Sequence, residues 1–271
     1  MQRKVELELM TPAEIVAARS ETPLIYVPVG PMEWHGPHMP LGTDGILSHY
    51  QARQVARSTG GVVFPRIFFG TDNVRPQGNG PQSLGALGLA EDVRALGMDF
   101  PGNSTHSVYL DEGVFAVLMR EVVRSLQQDP WRLIVFVNGH GAPNQSYTLR
   151  RICREMSMPE CKVMMLPARP KMPGTDPGHA ERWETSIMMA VDPDIVRLDQ
   201  LPPIGVPMAY RDFGAVNGEA FEGRATPTFE LPNNDDPRYA TAETGRAMLE
   251  RGVEAVVEAM LQELAALRAR G

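Results

Sequence analysis

Apolar runs and helical patterns alternate along this chain, and that alternation restricts it to an α/β fold with a largely parallel sheet. The apolar runs cover residues 24–29, 61–69, 132–137 and 162–166. The run at 132–137 is continuously apolar after its arginine, which suits a strand buried on both faces. Pro65 marks an irregularity or an edge in the second run. The helical patterns fall at 11–19, 45–58, 111–128 and 145–156, then from the 178–186 segment into 187–191, and at 239–268 as one helix or two. Thr11, Pro12 and Glu14 form a helix start with a capping box. In the 111–128 helix Phe115, Leu118, Val122 and Leu126 make one stripe, widened by Val114 and Val123. Leu249, Val253, Val256, Met260, Leu264 and Leu267 make the apolar face of the last helix.

The polar residues between these elements are not evenly spread. After the first run comes Pro31-Met-Glu-Trp-His-Gly-Pro-His-Met-Pro-Leu-Gly-Thr-Asp44. Glu33 and His35 are two apart, so extended backbone sends both to the same side. Pro37, Pro40 and Gly42 then bend the chain, and Asp44 arrives at the mouth of the next helix. Glu33, His35 and Asp44 offer one nitrogen and two oxygens, a donor set for a transition metal. The bland alternative is a polar loop in which Asp44 caps a helix. His140 follows another apolar run, in Asn138-Gly-His-Gly-Ala-Pro-Asn144. Open α/β sheets gather ligands outside the C-terminal ends of their strands, so the two clusters can meet there.

Composition narrows the function. The chain has 271 residues, a net charge of −7 and 22% charged residues. With no compensating basic stretch, nucleic acid is excluded as the main partner. No run reaches the roughly 18 apolar residues of a membrane helix, and the N-terminus lacks an apolar signal core. Cys153 and Cys161 do not make a disulfide framework, which fits a reducing cytoplasm. Residues 70–110 form a long polar stretch, the kind that is usually functional. Its Gly78-Asn-Gly-Pro-Gln-Ser83 lacks the third glycine of a dinucleotide fingerprint and is set aside; its end holds His106. Residues 192–237 read as surface connections with little regular structure.

Three segments resemble the creatininase (creatinine amidohydrolase) family in order along the chain. They are Glu33-x-His35-Gly-x-His38-x-Pro40-Leu-Gly-Thr-Asp44, Val137-Asn-Gly-His140-Gly, and His179-Ala-x-x-Trp183-Glu184-Thr-Ser186. A weaker fourth is Asp236-Pro-Arg-Tyr-Ala-Thr-Ala-Glu-Thr-Gly245. The resemblance implies a single three-layer α/β/α domain spanning residues 1–271, a dinuclear metal site, and a homo-oligomer, often a hexamer. It makes Glu33, His35, Asp44 and His140 metal ligands, with Asp44 bridging. Creatininases proper place a carboxylate two after the second-motif histidine; Ala142 stands there, so Glu184 is the fifth ligand, with Glu181 the rival. His179 becomes the acid/base group, and His106, Arg182 and Trp183 are candidate substrate contacts. His38 reads as structural or as a support to the ligands, and Trp34 is open between packing and substrate contact.

The implied chemistry is hydrolysis by a water activated between two divalent cations, zinc or manganese in a shell without thiolate. The expected substrate is a small molecule with a cyclic or formylated amide C–N bond. Two alternatives are hydrolytic C–C cleavage of a cyclic polyol ketone and a non-catalytic, metal-keeping maturation partner. The lack of Gly-x-Ser-x-Gly and of a P-loop sets aside serine hydrolases and P-loop enzymes.

Overall fold

The computed structural model describes residues 3–72, 82–83, 94–99, 103–168, 178–206, 209–211, 214–216 and 235–269. Four strands form the main sheet: β1 Leu24–Val29, β2 Val62–Val63, β3 Leu133–Asn138 and β4 Lys162–Pro167. Their order is β2-β1-β3-β4, and every pairing is parallel. The long apolar runs take the centre, with all six residues of both β1 and β3 buried.

The pleat divides these strands between two cores. Leu24 and Tyr26 of β1, with Leu133, Val135 and Val137 of β3, pack against helices α2 Thr43–Thr59, α5 Arg182–Val191 and α6 Ala242–Arg268. Ile25, Val27 and Val29, with Ile134 and Phe136, meet α3 Glu112–Leu126 and α4 Pro143–Met156, and α1 Pro12–Glu21 borders this face. The result is a three-layer α/β/α fold. Fully burying one of these large side chains contributes about 1.5–3 kcal/mol, so the two central strands anchor the molecule. No helix among the described residues is long and apolar enough to cross a membrane.

Several boundaries depart from the sequence expectations. The second run is a strand only at Val62–Val63, with a single further bridge from Ile67 to Val29; Pro65 lies between them and has no N–H to continue the ladder. Helix α2 begins at Thr43, and its N-cap is Gly42, which makes no side-chain cap. Asp44 therefore sits inside the first turn and is not the cap. On α3 the buried residues are Phe115, Ala116, Met119, Val123 and Leu126, while Val114 is 56% exposed. The stripe is rotated because α4 packs beside α3 as well as the sheet. The capping box at Thr11 and Glu14 forms as expected, and the last segment is one helix. The 192–237 stretch does hold regular structure, in turns at Pro193–Ile195 and Leu198–Gln200 and a hairpin of Ala209–Arg211 with Gly214–Val216. The glycine-rich 78–81 part of the discarded fingerprint lies outside the described residues.

One close approach fixes the site. Gly30 follows β1 and Gly139 follows β3, and both face the first turn of α2. A β-carbon on Gly30 would lie 2.6 Å from Cβ of Asp44, and one on Gly139 would collide with the Asp44 main chain. The absence of side chains here lets α2 dock directly on the ends of the two central strands.

Candidate metal centre

The rim formed by β1 and β3 collects six side chains from four places in the chain. Glu33 and His35 leave the loop after β1, Asp44 the first turn of α2, and His140 the turn after β3. His179 and Glu184 come from the start of α5. They form three interlocking groups, Glu33/His35/His179, Glu33/Asp44/His140 and His35/Asp44/Glu184, whose donor atoms lie within 4.8 Å of one another. Asp44 belongs to two of them. Glu33, Asp44 and Glu184 are 2%, 1% and 0% exposed.

The three imidazoles are aimed by the same device. His35 Nδ1 is 2.9 Å from the Glu33 carbonyl oxygen. His140 Nε2 is 3.0 Å from the Thr71 carbonyl, and His179 Nε2 is 2.6 Å from the Trp34 carbonyl. A carbonyl oxygen only accepts, so each of these nitrogens carries the hydrogen. The other ring nitrogen of each histidine then faces the carboxylates. This arrangement, one N–H given to the backbone and the second nitrogen directed inward, is how metal-binding histidines are held.

Distances support a cation between these groups. His35 Nε2 is buried and without a hydrogen-bond partner. It stands 3.9 Å from Glu33 Oε2, 3.7 Å from Asp44 Oδ1 and 3.8 Å from Glu184 Oε1. These are too long for hydrogen bonds. Donors bound at about 2 Å to one cation necessarily stand roughly 3–4 Å apart. His140 Nδ1 is 2.8 Å from Asp44 Oδ2 and 3.5 Å from Glu33 Oε2. The residues present thus fit a metal centre of mixed imidazole and carboxylate donors.

Electrostatics point the same way. Taking a carboxylate out of water costs several kcal/mol unless it is neutralised. Among the described residues, the charged partners of Glu33 and Asp44 are histidines. Burial opposes a charge on His35, but Glu184, Asp44 and Glu33 outweigh it and push its pKa up to about 10. His140 also moves up, with burial opposed by Glu33 and Asp44. Asp44 moves down despite burial, because His140 and His35 face it. The cluster therefore draws positive charge, as protons or as cations. His179 differs: burial and the neighbouring His35 shift it down. It is neutral near pH 7, its side chain is 15% exposed, and its Nδ1 lies 3.5 Å from Glu33 Oε2.

Glu181 and Glu184 separate by geometry. Glu181 is the N-cap of α5: its two oxygens accept from the N–H groups of Glu184 at 2.9 Å and Trp183 at 2.8 Å. Glu184 turns Oε1 to His35 and accepts the Ala180 N–H on Oε2 at 2.6 Å. Ala180 has a left-handed φ of 56°, which costs about 1–2 kcal/mol for a residue with a β-carbon. This kink sets His179 and Glu184 on the same side.

The remaining candidates have varied surroundings. His106 is not brought to the cluster; its side chain is 83% exposed, 3.9 Å from Asp99. The Arg182 guanidinium lies 5.3 Å from the centre of the Trp183 ring. His38 is buried, pairs with Thr185 Oγ at 2.9 Å, and is pushed down to about 3 by burial and by His35. Trp34 is 9% exposed. The sequence reading passed over Tyr109, whose hydroxyl donates to Glu33 Oε1 at 2.6 Å. The available signal was spacing: Ser107 and Tyr109 are two apart, as Glu33 and His35 are, and Ser107 Oγ accepts from Trp34 N at 2.9 Å.

Fold and cluster define an α/β/α protein with a metal-capable centre at the C-terminal rim of a parallel sheet. The chain belongs to the creatininase family: the family model described as creatinine amidohydrolase matches residues 8–260, and the chain is a hydrolase of that family. It is 26% identical over 264 residues to the creatinine amidohydrolase of Pseudomonas putida, covering 89% of each chain. It is 32% identical over 190 residues to the mycofactocin precursor peptide peptidase of Mycolicibacterium smegmatis, covering 67% of this chain and 63% of that one, under two thirds of its length. A crystal structure of creatininase superposes with a TM-score of 0.69 at 22% identity, covering 97% of this chain and 98% of that one. Similar structures include a manganese form and a zinc–zinc form of creatininase.

Proposed function

We propose that the protein is a dinuclear metal-dependent hydrolase of amide C–N bonds, built as one domain. The observation that carries this reading is the set of three imidazoles, each anchored through one N–H to a backbone carbonyl and facing buried carboxylates. Glu33, Asp44 and His140 would hold one cation; His35, Asp44 and Glu184 would hold the other, with Asp44 shared. Zinc and manganese suit these donors, and relatives named in both forms support that choice. When bound, such a pair supplies Lewis acidity to a carbonyl oxygen and acidifies a water between the ions.

His179 does the proton work. Its Nε2–H is committed to Trp34, so Nδ1 takes the proton from water and returns it to the leaving nitrogen as the C–N bond breaks. The downward shift of its pKa keeps Nδ1 available near neutral pH. Tyr109 and Glu181 keep neighbouring groups in place.

Both longer-matching relatives cleave amides according to their names, one a cyclic amide and one a peptide, whereas a 3-dehydro-scyllo-inosose hydrolase of Thermotoga maritima matches over 66 residues only; the longer matches support C–N hydrolysis over C–C cleavage. The test is an assay of the purified protein loaded with manganese or zinc against creatinine, N-formyl amides, short peptides and keto-inositols. Turnover of an amide that chelation abolishes, and that metal restores, is the expected result. Turnover confined to the keto-inositols overturns the C–N assignment. Stoichiometric metal with no turnover on any substrate favours a maturation partner.

A further inference from the structure

We propose that Tyr109 is a positioning residue that confines Glu33 to one-oxygen contact with a bound cation, and so makes the 103–110 stretch part of the metal centre. The inference rests on the reading of the cluster as a cation site. Two hydrogen bonds fix the direction of the phenol. The Met98 N–H donates to the Tyr109 oxygen at 3.1 Å, and a phenol has one hydrogen to give. That hydrogen goes to Glu33 Oε1 at 2.6 Å, within the range of a charge-assisted O–H to carboxylate bond.

The two oxygens of Glu33 are thereby given different work. Oε1 is occupied by the phenol. Oε2 is the oxygen near the imidazoles, 3.5 Å from His140 Nδ1, 3.5 Å from His179 Nδ1 and 3.9 Å from His35 Nε2. A carboxylate with both oxygens available can close on a cation with two bonds; one with an oxygen held back makes a single bond. The same stretch is tied to the site loop elsewhere. Val108 N donates to the Met32 carbonyl at 2.7 Å, and Leu110 N to the Gly70 carbonyl at 2.8 Å. Tyr109 therefore stands on backbone fixed on either side, a requirement for a group that supports a ligand.

The test uses Co²⁺ as the probe in the full chain. The parent protein and Tyr109→Phe are titrated with Co²⁺ after chelation and dialysis, with affinity and visible absorption recorded. Loss of a ligand-supporting hydrogen bond weakens metal affinity about 10–100-fold. A second Glu33 oxygen joining the cation raises the coordination number and lowers the intensity of the visible bands. Asn103→Ala cuts another tie of the same stretch, the Asn103 Nδ2 donation to the Met98 carbonyl at 3.0 Å, and leaves the Tyr109 hydroxyl and Glu33 in place; it is expected to keep the parent spectrum and affinity. Tyr109→Phe with parent affinity and spectrum overturns the inference, and so does Asn103→Ala with the changes expected of Tyr109→Phe. Should Tyr109→Phe fail to fold, 4-fluorophenylalanine at 109 keeps nearly the same size and removes the donor hydrogen, and an unaltered cobalt affinity and spectrum there overturn the inference. A parent that binds no Co²⁺ overturns the metal reading itself.

Discussion

The loop after β1 and the turn into the start of α5 deliver the same goods by different means. Each brings one imidazole and one carboxylate to the same buried cluster. In the first, Glu33 and His35 are two apart, and the loop is closed by a backbone bond from Glu33 N to the Leu41 carbonyl at 2.7 Å. In the second, His179 and Glu184 are five apart, and a left-handed Ala180 and a capped helix start bring them together. The first uses the geometry of extended backbone; the second uses a local conformation that costs free energy. A site can thus be half read from spacing and half hidden in a kink.

The largest expected effect comes from the residue both halves share. Asp44→Ala should abolish turnover and reduce bound metal to a single ion or less, measured by elemental analysis. Retention of two ions and full activity would show that the halves do not meet at Asp44. Next, Glu184→Gln should lose one ion while Glu181→Gln keeps both. Glu181→Gln instead weakens the α5 cap, and a loss of about 0.5–2 kcal/mol is expected in urea unfolding. The reverse pattern would exchange their roles.

Metal uptake should also release protons. His35 of the metal-free protein is raised to about 10, so it holds its proton at pH 7 and must give it up to bind. Affinity therefore rises with pH up to about 10 and falls on acidification. Calorimetry in buffers of different ionisation enthalpy measures the released protons; zero release would contradict the shift. The smallest effect is Ala180→Gly. It relieves the left-handed strain, offset in part by a more disordered unfolded chain, so stability should rise by no more than about 1 kcal/mol. A clear loss of stability would mean that the Ala180 methyl contributes more by packing than its φ costs.

The α/β layering was legible because apolar runs and helical stripes have different periods, and the central strands lie where those runs occur. The convergence of Glu33 and His35 with His140 followed from strand ends sharing one rim. Other features are decided by contacts that no local pattern carries. The α3 stripe turned away from Val114 because α4 competes for the same surface. Pro65 announced an irregularity but not that β2 would shrink to two residues. Glu181 and Glu184 both look like candidate ligands in sequence; only the direction of the Trp183 and Glu184 N–H groups makes Glu181 a cap. Tyr109 carries no motif, whereas His106 stands out by residue type alone, and its ring is exposed.

Gly30 and Gly139 carry a kinetic consequence. With α2 seated against bare backbone on two strands, Asp44 has no slack in which to swing aside. Its carboxylate can therefore shift only if the sheet and α2 part. The Ile46 N–H, bonded to the Gly42 carbonyl at 2.9 Å, should then exchange with deuterium as slowly as the global opening of the protein, and should quicken in step with it under denaturant.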